Sequence, residues 1–160
     1  MSTVADYAGR TVDMLALQTL GNRFLDTDIA KSQTLVRTDD GGMLIAGIQK
    51  LAQRVLITLL TSVGSKIYDP AFGTQFIPDA RAGNWRTIAD VTQSFYSARL
   101  DVARQLAAEQ LASDPLDEIY NGMTLTDVVL SSDMIRLSID LTSLAGTTYT
   151  VLAPITVPIN

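Results

Sequence analysis

Residues 45–73 read IAGIQKLAQRVLITLLTSVGSKIYDPAFG, and the organisation of the chain follows from this stretch. Ile45, Ile48, Leu51, Ala52, Val55, Leu56 and Leu59 recur at helical spacing and form one wide apolar face. Lys50, Arg54, Thr58 and Thr61 fall on the opposite face. Gly64 stands where a helix stop belongs, because glycine takes the left-handed cap conformation without a Cβ clash. Gly64-Ser65 and Asp69-Pro70-Ala71-Phe72-Gly73 then predict a short strand and a stiff turn, with Phe72 packed inward. Pro70 drives Asp69 out of the helical region, and Gly73 permits a second unusual dihedral.

Upstream, Val12, Leu15, Ala16 and Thr19 predict a short amphipathic helix within Ser2 to Asn22. Its apolar stripe is sparse, which fits docking on a partner better than nucleating a fold. Phe24 to Thr38 reads as a loop with a short strand at Thr34 to Arg37. Asp39-Asp40-Gly41-Gly42 is a turn whose acids cap the central helix or, alternatively, hold a cation. The chain thus divides into a partner-docking helix and loop at 1–40 and one α+β domain at 41–160.

Downstream, Thr74 to Asn84 reads as an ordered loop around Pro78 and Gly83. Trp85 is a core or staple residue, with a partner hot spot as the alternative. A long helix is predicted from Arg86 to Ala112, its stripe being Ile88, Val91, Phe95, Ala98, Val102 and Leu106. Asp90, Ser94, Asp101, Arg104 and Gln105 face away. Ala103, Ala107, Ala108 and Ala112 leave room for a second helix, and Asp114-Pro115 ends the element. The last third is β: a strand at Leu125 to Leu130, a turn at Ser131-Ser132-Asp133, and a strand from Met134 to Thr142. In that strand Ile135, Leu137, Ile139 and Leu141 alternate with Arg136, Ser138, Asp140 and Thr142. Ala145-Gly146 turns the chain into a final strand, Thr148 to Asn160. The expected fold class is α+β, helices followed by a C-terminal antiparallel meander packed against them.

Composition narrows the chemistry. The 160 residues carry 47% hydrophobic and 18% charged side chains, the balance of a chain that buries a core. A net charge of −5 argues against nucleic acid and anionic membrane as partners. With no cysteine and no histidine, thiolate chemistry, disulfides and the commonest general base are absent. Met1 to Arg10 does not read as a secretory signal, and no aliphatic run is long enough to span a bilayer. No cofactor, metal or catalytic residue is expected. Glu109 and Glu118 lack a paired acid at a spacing that forces a shared site, and Asp114, Asp117 and Glu118 read as a solvated acidic loop.

Leu59-Leu60-Thr61, Gly64-Ser65, Asp69-Pro70 and Phe72-Gly73, with the order of the elements that follow, resemble the wedge proteins that initiate the sheath in contractile phage tails. The related baseplate subunit of type VI secretion systems is similar. The resemblance spans roughly residues 43–141. It implies a structural virion component of the tail baseplate, assembled in the host cytoplasm and present in six copies around the tail. Other wedge proteins, the sheath protein and the tail tube are the implied partners. Family members follow the second helix with an acid-Pro-Arg triplet that contacts wedge partners. Here it is Asp114-Pro115-Leu116, and leucine cannot make the bidentate contacts of arginine. The alternatives are a non-catalytic scaffolding domain unrelated to tails and, more remotely, the lysozyme-like hydrolase that some members have been labelled.

The final strand places Tyr149, Val151, Ala153, Ile155, Val157 and Ile159 on one face. Pro154 and Pro158 remove amide hydrogens from one edge only, so the strand belongs at the side of a sheet. One reading is an edge protected against aggregation. The other, favoured by the resemblance, is that residues 153–160 overrun the hairpin partner and pair with a neighbouring chain, with Ala153, Ile155, Val157 and Ile159 as the exchanged segment.

Overall fold

The computed structural model describes residues 13–14, 44–131 and 134–156. Asp13–Met14 (β1) and Leu44–Ile45 (β2) form a two-residue antiparallel ladder. Three helices follow: α1, Ile48–Leu60; α2, Phe76–Arg81; and α3, Ile88–Glu109. Strands β3 (Tyr120–Leu130), β4 (Met134–Ser143) and β5 (Thr148–Thr156) make an antiparallel meander, in the order β3-β4-β5. Helix α3 lies over β3, and α1 over β5 and β4. The fold is α+β, as expected.

Side-chain periodicity set the core correctly. Six of the seven apolar residues expected on the first helical face are buried in α1, while the seventh, Ile45, is buried in strand β2 ahead of the helix; the α3 stripe is buried at Val91, Phe95, Ala98, Val102 and Leu106. Ile135, Leu137, Ile139 and Leu141 of β4 meet Tyr149, Val151, Ala153 and Ile155 of β5 beneath them. Ile88, assigned to the stripe, is instead exposed at the first turn of α3. Thr58, assigned to the solvent face, is buried and donates its hydroxyl to the Arg54 carbonyl. Ala107, Ala108 and Ala112 are exposed, so they do not seat a helix of the described residues.

Element ends differ where a distant group competes with a local signal. Helix α1 stops at Thr61, which is extended at φ −80°, and Gly64 serves the following turn rather than capping the helix. The expected short strand after Gly64-Ser65 does not form; residues 63–73 are turn and loop, and a single parallel bridge between Ser62 and Thr74 joins the two ends of the stretch. The expected loop at Thr74 to Asn84 contains α2, in which Pro78 sits in the first turn, where an amide has no intrahelical acceptor to lose. Trp85 packs on Phe76 of this helix with ring centroids 4.5 Å apart. Helix α3 opens on a capping box, Thr87 and Asp90 bonding each other's backbone amides, and ends at Gln110, before the proline.

Strand β3 begins at Tyr120, five residues ahead of the predicted start, and its pairing with β4 shifts between Tyr120/Gly122 and Leu125/Asp127. The second shift moves the inward phase from Met123 and Leu125 to Val128 and Leu130, so all four apolar residues face the helices. Asp13 and Met14 are strand, which contradicts a helix running through them. The rest of that predicted helix, the strand at Thr34 to Arg37, the Asp39 to Gly42 turn, Ser132-Asp133 and residues 157–160 lie outside the described residues.

Candidate partner-binding surfaces

Three surfaces follow from residues singled out in the sequence. The first is the turn from Gly64 to Gly73. Its base is closed by Val63 N donating to Thr74 O at 3.0 Å, Gly64 N to Pro70 O at 2.9 Å and Thr74 N to Thr61 O at 2.9 Å. Gly64 and Gly73 both take positive φ, +81° and +99°. Gly73 has a second constraint, since a Cβ there would overlap the Thr61 carbonyl oxygen. Phe72 is buried as expected, with the Lys66 ammonium 3.1 Å above its ring centroid. Ser65, Asp69 and Pro70 are exposed, and the tip presents Ile67 and Tyr68 at 91% and 101% exposure.

Gln105 was expected to face solvent, yet it fixes this turn to α3. Its amide nitrogen donates to Gly73 O at 2.7 Å, and its carbonyl oxygen accepts from Gly73 N at 2.9 Å.

The second surface is the loop holding Asp114, Pro115 and Leu116. Asp114 works locally: its carboxylate accepts from Leu111 N at 2.9 Å, and its own amide donates to Leu111 O at 3.0 Å. The Leu116 carbonyl accepts from Ala145 N at 3.0 Å, which joins this loop to the β4–β5 turn. The Leu116 side chain points out, 57% exposed.

Glu118, expected in a solvated acidic loop, is buried. One carboxylate oxygen accepts from Gly47 N at 3.0 Å and the other from Lys50 Nζ at 2.8 Å. It therefore occupies the N-terminus of α1, where partial positive charge and free amides favour a carboxylate. This capping role was expected of Asp39 or Asp40, which lie outside the described residues. Glu109 pairs with Arg54 at 2.9 Å.

The third surface is the outer edge of β5. The β4–β5 turn is Ser143 to Thr147, with Gly146 N donating to Ser143 O at 2.9 Å, Gly146 at φ +80°, and Ser143 N donating to Thr147 O at 3.0 Å. Hydrogen-bonded pairs alternate along an antiparallel ladder, so this bond fixes the phase of the whole hairpin. Tyr149, Val151, Ala153 and Ile155 bond to β4, while Thr150, Leu152 and Pro154 direct their backbone outward. Pro154 thus blunts the outer edge, as its position implied.

The overrun does not occur over 153–156. Ala153 and Ile155 pair with Leu137 and Ile135, and their side chains belong to the core. A segment already filling its own domain cannot also be exchanged without unfolding it. Val157 and Ile159 lie outside the described residues. Trp85 is half-buried and packs against the core, the more ordinary of its two readings.

Among the described residues no group of three acids is placed to hold a metal ion, and no helix is long and apolar enough to cross a membrane. No family model, curated protein or solved structure matches the chain.

Proposed function

We propose that this chain is a non-catalytic assembly subunit of a contractile-tail baseplate, a wedge protein that seats the first sheath subunits by accepting a strand along β5. The observation that carries this reading is the contrast between the two edges of the meander. Strand β3 is interrupted by two register shifts, the usual protection of an edge that must stay unpaired. Strand β5 runs nine residues against β4 without a shift, and among the described residues only β4 pairs with it. Its outer side offers the amides and carbonyls of Thr148, Thr150 and Leu152 to an incoming strand, as in β-augmentation. The turn motif at Gly64 to Gly73 and the order of elements add the tail context, with sheath, tube and neighbouring wedge proteins as partners and six copies around the tail. Among the described residues both glutamates have structural partners, Glu118 being held by Lys50 and Gly47 and Glu109 by Arg54.

The test is sheath assembly on baseplates carrying Leu152→Pro, which removes one outward amide and leaves the bonds to β4 in place. The expected result is a folded subunit and no sheath. Sheath of normal length on that baseplate would overturn the reading, and so would a gene neighbourhood without tail tube, sheath or spike.

A further inference from the structure

The outer edge of β5 is not uniformly open. Thr148, Thr150 and Leu152 each direct an amide and a carbonyl away from β4, whereas Pro154, next in the same phase, directs a carbonyl and a ring. A guest strand crossing Pro154 would bring its own acceptor against that ring and leave it unpaired, so pairing stops there. At the other end the chain turns: Gly146 takes φ +80°, and the Thr147 carbonyl accepts from Ser143 N at 3.0 Å. The open stretch is therefore Thr148 to Leu152, roughly 17 Å of extended chain.

The two ends of this window differ in what lies beyond them. Beyond Leu152 is the proline. Beyond Thr148 is a turn fixed to the α3–β3 loop by two backbone bonds, Leu144 N to Ile119 O at 2.8 Å and Ala145 N to Leu116 O at 3.0 Å. Those bonds set Leu144 and Leu116 on neighbouring segments, where they stay 53% and 57% exposed. Two leucines on segments tied together through their backbones make a fixed apolar step at the open end of the edge.

Charge adds a third property. The β4 residues opposite the window run from Thr142 to Ser138, and Asp140 is the ionisable one among them. Its carboxylate accepts from the Thr150 hydroxyl at 2.7 Å, so it is already engaged by β5 itself. Arg136 lies opposite Pro154, past the stop. The window thus offers backbone groups and apolar surface, with no free charge for an incoming side chain to answer.

We propose that Thr148 to Leu152, continued by Leu144 and Leu116, is the complete strand-accepting site, and that Pro154 sets its register. The segment it takes is extended and uncharged over about five residues, and carries an apolar side chain just past Thr148 that rests on the two leucines. This inference rests on the reading of β5 as an accepting edge, and adds the length, placement and character of the accepted strand.

The test is amide-resolved hydrogen exchange on the full chain, free and in sheathed tails. Exchange at Thr148, Thr150 and Leu152 is expected to slow on assembly, while the Thr156 amide, outward in the same phase but past the proline, exchanges as in the free chain. Slowing that reaches Thr156 in the wild type overturns the proposal and leaves the accepting edge standing; no slowing at any of the three positions overturns both. Pro154→Ala is expected to extend the slowing to position 154, and an alanine amide there that exchanges as in the free chain would show that Pro154 is not the stop. Leu116→Ser with Leu144→Ser is expected to keep the thermal midpoint, lose the slowing at Thr148 and lower the fraction of sheathed tails. A wild-type fraction of sheathed tails in that variant would remove the leucines from the site.

Discussion

Gln105 of α3 makes both hydrogen bonds that the backbone of Gly73 has to offer, 2.7 Å to its carbonyl and 2.9 Å from its amide. One side-chain amide thereby joins the long helix to the turn. Gln105→Ala should cost about 1–3 kcal/mol, because it leaves a partly buried amide and carbonyl short of partners. Chemical denaturation of the isolated chain checks this, and a change below a few tenths would show that water replaces the clamp freely.

The two turn glycines should separate sharply. At Gly64 a Cβ meets nothing within 4 Å, so Gly64→Ala carries only the left-handed penalty, roughly 1–2 kcal/mol. At Gly73 the same penalty is joined by a clash with the backbone of Thr61, and backbone cannot rotate aside. Gly73→Ala should therefore be the more destabilising of the pair in the same denaturation experiment. Equal effects would mean that the turn shifts as a body.

Glu118 should be the costliest acid to remove. Glu118→Ala strips a buried partner from Lys50 and a cap from Gly47 together, and breaking such a pair from one side typically costs about 3–5 kcal/mol. Glu118→Gln keeps an acceptor for Gly47 and loses the charge, so it should fall between alanine and wild type. If alanine and glutamine destabilise equally, the charge rather than the cap carries the effect.

These residues also mark how far the sequence could be read. The faces of α1, α3, β4 and β5 were legible because each is written in a local period that the core then fills. Gln105 and Glu118 were not, because their partners are 32 and 71 residues away and a polar residue on a helix flank or in a loop looks the same whether or not something arrives to meet it. Helix α2 was hidden by Pro78, and the start of β3 by Asn121-Gly122 and the register shift beside them. The Gly64 to Gly73 stretch was legible as a turn but not in its exposed apolar tip, since Ile67 and Tyr68 read locally as strand residues.

The capping box gives a pH dependence of known sign. The Thr87 hydroxyl, then the Thr87 and Arg86 amides, hold the Asp90 carboxyl below its ordinary range. A carboxyl depressed in the folded state adds stability above its unfolded pKa and loses it as pH falls through the folded value. Thr87→Ala should cost about 1 kcal/mol near neutrality. Asp90→Asn should flatten the loss of thermal midpoint on acidification. An acid-side slope unchanged in Asp90→Asn would place the titrating group elsewhere.

A proline scan along β5 tests the phase that the Ser143–Thr147 bond sets. Val151 and Ala153 donate their amides to β4, so Val151→Pro or Ala153→Pro removes a ladder bond and strands a β4 carbonyl in the core, at roughly 1–3 kcal/mol for the unmet acceptor alone. Thr150→Pro and Leu152→Pro act on outward amides, where Pro154 is already accommodated without a register shift. Thermal midpoints should therefore be low at 151 and 153 and near wild type at 152, with Thr150→Pro between them because it also removes the Thr150 hydroxyl's bond to the Asp140 carboxylate. Pro154→Ala makes the complementary change: it restores an outward amide and should increase edge-to-edge association while altering stability by less than about 1 kcal/mol. Even positions as damaging as odd ones would mean that the outer edge of β5 is already paired.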